Sequence, residues 1–314
     1  MNHKLNAIQT FIANIIKGIV IGVANIIPGV SGATFALILG IYEKLINILT
    51  RFDNKLIKLI KKGEVKKIKE HISLDFLIPL GIGIVVSFLL VSKLLQYLFI
   101  HFNTQTWAYF FGIIFVSIFY IAKYTTRWKT QESLCFIIGL LVALSLLFIE
   151  PAIENDNLFF VFICGMLGII GMLIPGLSGS YLLILLGNYK LIFITTVQNI
   201  TNTTLIAQKN YFYLQLIICF LAGKIVGVVL FSRMIKWLLK YFKNKTFAIL
   251  SGFITGSLIY IWPWQTNIEN AKLIETLSYP TFNNHTDIYA VLFILIGIMT
   301  IIIIEKIAKK NKNV

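Results

Sequence analysis

Residues 22–42, GVANIIPGVSGATFALILGIY, return at 168–189 as GIIGMLIPGLSGSYLLILLGNY, which places Pro28 and Pro175 147 positions apart. A chain that repeats an apolar segment of this length is built from two related halves. Each copy carries Ile-Pro-Gly-x-Ser-Gly in the middle of its run: Ile27, Pro28, Gly29, Ser31 and Gly32 against Ile174, Pro175, Gly176, Ser178 and Gly179. Leu39, Gly40 and Tyr42 then answer Leu186, Gly187 and Tyr189.

Proline lacks an N–H and clashes with the preceding turn, and glycine relaxes the backbone, so a helix is predicted to stop at Pro28 and again at Pro175. Ser31 and Ser178 are good N-caps from which a new helix restarts, its first amides pointing back at the break. Such amides, at the positive end of a helix dipole, suit an anion. A single copy is equally well read as a proline kink with glycines for close packing. Matching interruptions in two halves of a membrane protein point instead to a transport site.

That the setting is a membrane follows from composition. The 314 residues are 58% hydrophobic and 13% charged, with mean hydropathy +0.85, which defines an all-α polytopic membrane protein. Cys135, Cys164 and Cys219 each sit in an apolar run, as packing or lipid-facing residues do, and His3, His71, His101 and His285 fall outside the spans. No metal site and no cofactor are expected. Lys4 ahead of an apolar run resembles a signal peptide, but the run is half of the first repeat and no A-x-A pattern follows.

The first repeat is assigned to 1–150: a broken-helix hairpin over 11–49, a basic segment over 44–74, and spans at 76–99, 107–123 and 134–149. The hairpin run is too long for one crossing and must double back; a glycine-rich turn favours a re-entrant form. The basic segment holds nine lysines and arginines of the chain's 28, which marks it as cytoplasmic, lying along the anionic inner surface rather than binding nucleic acid. The second repeat, 151–314, has a hairpin over 158–195 and spans at 211–239, 247–262 and 288–304. Loop charges alternate, and both termini are expected in the cytoplasm.

Beyond the hairpins the repeat continues with an offset of 140: Gly83, Ser92, Gly112, Ser117 and Tyr120 match Gly223, Ser232, Gly252, Ser257 and Tyr260. A hairpin returns to its starting side and three spans are an odd number, so the halves are expected to be inverted-topology repeats, the architecture of alternating access.

Four cations fall inside apolar runs: Lys17, Lys93, Lys224 and Arg233, of which Lys93 and Arg233 correspond. Ionisable groups there are candidates for function, against the alternative of side chains snorkelling to the interface. The spans hold no interior carboxylate to pair with them, which leaves a ligand to supply the anion. The predicted site combines Ser31, Gly32, Thr34, Ser178, Gly179 and Ser180 with these four cations, and suits a phosphate-like oxyanion.

The two motifs, IIPGVSGAT with LILGIYE and LIPGLSGSYLLILLGNY, resemble the paired signatures of the bacterial polyprenyl-phosphate transporters, the undecaprenyl phosphate translocase family, over about 16–304. The resemblance implies a lipid translocase of the bacterial plasma membrane. Its cargo, undecaprenyl phosphate, would return to the inner leaflet for cell-envelope polymer synthesis, with membrane lipids as the other partners. Two positions depart from the family pattern: Gly32-Ala33 stands for Gly-Gly, and Lys190 for an acidic residue whose counterpart Glu43 is kept, which makes Glu43 a candidate for ion coupling. Two other classes compete. An ion-coupled carrier of a small soluble anion would use the same residues. A membrane lipid phosphatase or prenyltransferase would need a histidine in a span or an aspartate-rich pair for magnesium, and the chain has neither.

Overall fold

The computed structural model describes residues 2–26, 30–87, 92–196, 199, 211–265, 277–282 and 285–310. Most of the described residues are helical; the rest are turns, irregular stretches such as 125–129 and 149–157, and one isolated bridge between Gln265 and Leu277. Among the described residues, five helices contain runs long and apolar enough to cross a membrane: Ile8–Asn25, Asn103–Ala122, Thr130–Phe148, Phe212–Tyr241 and His285–Ile304. Large apolar side chains such as Ile12, Ile16, Ile218, Ile225 and Ile296 are exposed along these helices. A water-facing protein would hide them; in hydrocarbon they are at no disadvantage. The chain is an all-α polytopic membrane protein.

The first half begins with α1 (Asn2–Ile26), α2 (Gly32–Ile38) and α3 (Tyr42–Leu49). Two short basic helices follow, α4 (Asn54–Lys61) and α5 (Val65–His71), then α6 (Leu74–Val86), α7 (Ser92–His101), α8 (Asn103–Ala122) and α9 (Thr130–Ser145). In the second half α10 (Leu158–Leu173) and α11 (Gly179–Leu185) precede a π-helical turn, Leu191–Thr195. After it come α12 (Phe212–Tyr241), α13 (Lys243–Ser257), which tightens into a 3-10 turn, Leu258–Ile261, and α14 (His285–Lys310). Helices α8, α9, α12 and α14 overlap the segments 107–123, 134–149, 211–239 and 288–304. Of the span predicted at 76–99, the parts in α6 and α7 are described, and residues 88–91 lie outside the described residues.

α1 is described as far as Ile26, and Pro28 and Gly29 lie outside the described residues; the second helix stops just ahead of Pro175, as the proline demands. α10 ends at Leu173, and Ile174–Leu177 form a turn in which Leu177 N–H donates to the Ile174 carbonyl (3.3 Å) and Gly176 takes φ +85°. Proline followed by a positive-φ glycine is the pattern of a type II turn. α11 then runs back along α10, with Gly179 against Gly168 and Gly171. A mere kink would have continued the helix; here it breaks and reverses.

A second interruption follows one helix later in each half. The N–H of Ile41 donates to the Ala36 carbonyl and that of Gly40 to Leu37 (both 2.9 Å), with Gly40 at φ +67°. Asn188 N–H to Leu183 (3.0 Å) and Gly187 N–H to Ile184 (2.9 Å), with Gly187 at φ +76°, repeat the arrangement. These are paired Schellman caps, and each needs a residue free to adopt the left-handed conformation.

The helices pair as α1 with α6, α10 with α12, α8 with α14, and α9 with α13. Gly18 meets Gly83 at the first crossing and Gly165 meets the α12 backbone beside Gly223 at the second; a methyl group on Gly18 or Gly165 would overlap the carbonyl oxygen of Leu80 or Phe220. Contacts advance together along both partners, from Gly18–Leu80 to Gly22–Ile84 and from Gly165–Phe220 to Gly227–Ile169. Both pairs therefore run parallel, so between the two members of each pair the chain has returned to its starting side. One apolar core, including Ile21, Phe35, Leu173, Ile235, Phe247 and Ile254, joins the two halves.

Candidate functional site

The two breaks meet. Ser31 caps α2 by accepting from Ala33 N–H (3.2 Å), and its hydroxyl lies within donating distance of the Ile174 carbonyl (3.2 Å) in the other half. Thr34 Oγ1, fully buried, accepts the N–H of Gly176 at 2.9 Å. The Tyr42 hydroxyl donates to the Leu173 carbonyl at 2.8 Å, which satisfies an orphan acceptor at the end of α10. Each contact ties a backbone group freed by one break to a side chain of the other half.

Beside this junction lies a cavity of about 360 Å³, lined among others by Asn25, Ser31, Gly171, Ser178, Ser180 and Lys224. The two sides differ. On the first, the Gly32 amide already donates to Asn25 Oδ1 (3.0 Å) and Ala33 N–H to Ser31, so the amides predicted to await an anion are occupied. On the second, Ser178 makes no capping bond; its hydroxyl pairs with Ser180 Oγ at 2.7 Å, both at the cavity wall. Thr34, predicted as a head-group ligand, is spent on Gly176.

Lys224 supplies the charge. It lies in α12 one residue beyond Gly223, and its Nζ stands 4.7 Å from the Phe220 ring centroid and 5.8 Å from that of Phe193. Aromatic faces favour a cation. Among the described residues the ion pairs join Lys67 to Glu64, Lys69 to Asp75, His71 to Asp53 and Lys243 to Glu43, and none includes Lys224. An ammonium in a largely apolar helix without a carboxylate leaves room for an anion brought by a ligand.

The other predicted cations are placed elsewhere. Arg233 is exposed. It follows Lys224 by nine positions, about two and a half turns, which puts it on the opposite face of α12. Lys17 is half-buried in α1 and is not among the residues that line the cavity. Lys93 falls in the first turn of α7, and its side chain lies outside the described residues. Glu43 pairs with Lys243 at 2.7 Å, bridging α3 to the start of α13, away from the cavity. The residue that sequence reasoning missed is Asn25: its counterpart at the repeat offset is Met172, so the repeat gave no signal for it.

In this polytopic helical protein, residues of both Pro-Gly-x-Ser-Gly motifs meet beside a cavity whose lining includes Lys224. The chain matches, over residues 21–277, the family described as VCA0040-like: Undecaprenyl phosphate translocase-like. It belongs to that family. It is 30% identical over 198 residues to a polyprenyl-phosphate transporter of Vibrio cholerae, an alignment covering 63% of this chain and 60% of that relative. It is also 27% identical over 203 residues to a polyprenyl-phosphate transporter of Staphylococcus aureus, covering 61% of this chain and 69% of that relative. No solved structure matches the chain.

Proposed function

We propose that the chain is a non-enzymatic transporter that returns a polyprenyl phosphate, undecaprenyl phosphate in particular, across a bacterial plasma membrane for reuse in envelope polymer synthesis. The observation that carries this reading is Lys224 at a cavity lined by Ser31 of the first motif and Ser178 of the second, with Ser180 and Asn25 on the same walls. Lysine neutralises the phosphate as a point charge, the hydroxyls donate to its oxygens, and the Asn25 amide is a further donor. The prenyl chain stays in the hydrocarbon while the head group passes.

On this reading 1–150 and 151–314 are inverted repeats with both termini in the cytoplasm. The matching glycine crossings and the parallel pairs α1–α6 and α10–α12 support it. The second hairpin is re-entrant: α10, with 16 residues, extends about 24 Å, short of a hydrocarbon core of about 30 Å, whereas α1 of the first carries a run long enough to cross. Glu43 is then placed to couple ion movement to closure, through its contact with Lys243.

The test is transfer of a labelled polyprenyl phosphate between leaflets of proteoliposomes, with inorganic phosphate as competitor. Transfer that ignores soluble phosphate supports a lipid carrier. Uptake of the soluble anion without lipid transfer supports an anion carrier.

A further inference from the structure

A second, larger cavity of about 500 Å³ lies between α1, α2, α7, α8 and α14, walled by Val20, Phe35, Leu95, Phe110, Ile113 and Ile301 among others. Its hydroxyls are already committed. Thr106 Oγ1 donates to the Phe102 carbonyl (2.7 Å), Thr300 Oγ1 to Ile296 (2.8 Å), and the Tyr109 hydroxyl to Thr300 (3.4 Å). The wall therefore presents hydrocarbon to an occupant, with Gln105 near the α7–α8 turn as its other polar side chain.

Three of the bounding helices, α1, α8 and α14, contain membrane-crossing runs, so the cavity lies where the surrounding solvent is lipid chains. What distinguishes it from an ordinary lipid groove is its relation to the polar cavity. Helix α2 stands between them: its cap Ser31 lines the polar cavity, and Phe35, one turn further, lines the apolar one. A ligand with an anionic head and a long apolar chain meets both chemistries on the same short helix.

Resting on the transport reading above, we propose that this cavity binds the isoprenoid chain next to the phosphate. A cavity of this size, at about 30 Å³ per carbon-sized group, holds about 17 such groups, or about three isoprene units. Chain recognition is then confined to the units nearest the head, and affinity rises with chain length up to about three units and levels off beyond. The protein selects a prenyl phosphate against a free phosphate through this cavity, and the rest of the chain remains in the bilayer.

The experiment is photolabelling of the intact chain in nanodiscs by farnesyl phosphate bearing a diazirine, with labelled peptides mapped by mass spectrometry. The expected label falls on residues 19–23 and 106–113, at least about tenfold above the lipid-facing Ile218–Ile225 surface of α12, and unlabelled polyprenyl phosphate competes it away. Val20→Trp, which fills the cavity, removes the label, and Ile16→Trp, on the exposed face of α1, does not. Should Val20→Trp fail to fold, competition on the wild type decides alone. Even labelling over all lipid-facing helices, or equal labelling of the same residues by a diazirine-bearing phosphatidylglycerol, overturns the chain site. Leaflet transfer measured on the same preparation separates the two readings. Transfer without cavity labelling sinks the chain site alone; competed cavity labelling without transfer sinks the transport reading alone.

Discussion

Thr34 of the first half accepts the N–H of Gly176 in the second at 2.9 Å, with the threonine fully buried. The bond joins α2 of the first half to the turn in which the second half's helix has lost its backbone ladder. Replacing Thr34 by valine keeps the shape and removes the acceptor, stranding a buried amide at a cost of about 1–3 kcal/mol. Thermal unfolding of purified protein in detergent should show Thr34→Val lowered and Thr34→Ser close to wild type. Equal midpoints for all three would mean that the junction does not depend on this bond.

The two motif serines are expected to separate in phenotype. Ser31 caps α2 and reaches Ile174, so Ser31→Ala should lose about 1 kcal/mol of stability. Ser178 caps nothing and pairs with Ser180 at the cavity wall. Ser178→Ala should leave unfolding unchanged and weaken binding of a short-chain prenyl phosphate. Titration calorimetry and thermal unfolding on both variants check the contrast.

How much of this was legible in the sequence varies by residue. Pro175 announced its break because proline's missing N–H acts locally; Pro28 lies outside the described residues. Gly40 and Gly187 were visible as a match, but their role as left-handed caps depends on a backbone angle that a shared letter does not state. Asn25 was hidden because only one half has it. Lys93 and Arg233 corresponded in the repeat, yet correspondence says nothing about which helix face a side chain occupies, and on α12 that decides between Lys224 and Arg233. The basic run over 44–74 announced its surface character, yet Leu56 and Leu59 of α4 are buried and Ile57 and Ile60 exposed, a division set by what the helix rests on.

Close helix crossings give a sharper stability test. A methyl group on Gly223 would overlap the Phe162 carbonyl oxygen, whereas one on Gly81 meets nothing within 4 Å. Gly223→Ala should cost about 1–3 kcal/mol and reduce the yield of folded protein, with Gly81→Ala neutral. Size-exclusion profiles of the two variants decide this directly.

The Glu43–Lys243 pair is half-exposed on both sides, 45% and 50% of each side chain, so its contribution to stability should stay below about 1 kcal/mol. A double-mutant cycle with Glu43→Gln and Lys243→Gln measures it. If the pair serves coupling, Glu43→Gln slows transfer while unfolding barely moves.

The central claim is that Lys224 meets the phosphate where the two broken helices converge. Leaflet transfer of labelled polyprenyl phosphate by Lys224→Gln in proteoliposomes, with folding verified by thermal unfolding, tests it most directly. The account predicts a loss of at least about tenfold relative to wild type. Transfer at the wild-type rate by a folded Lys224→Gln protein would contradict it.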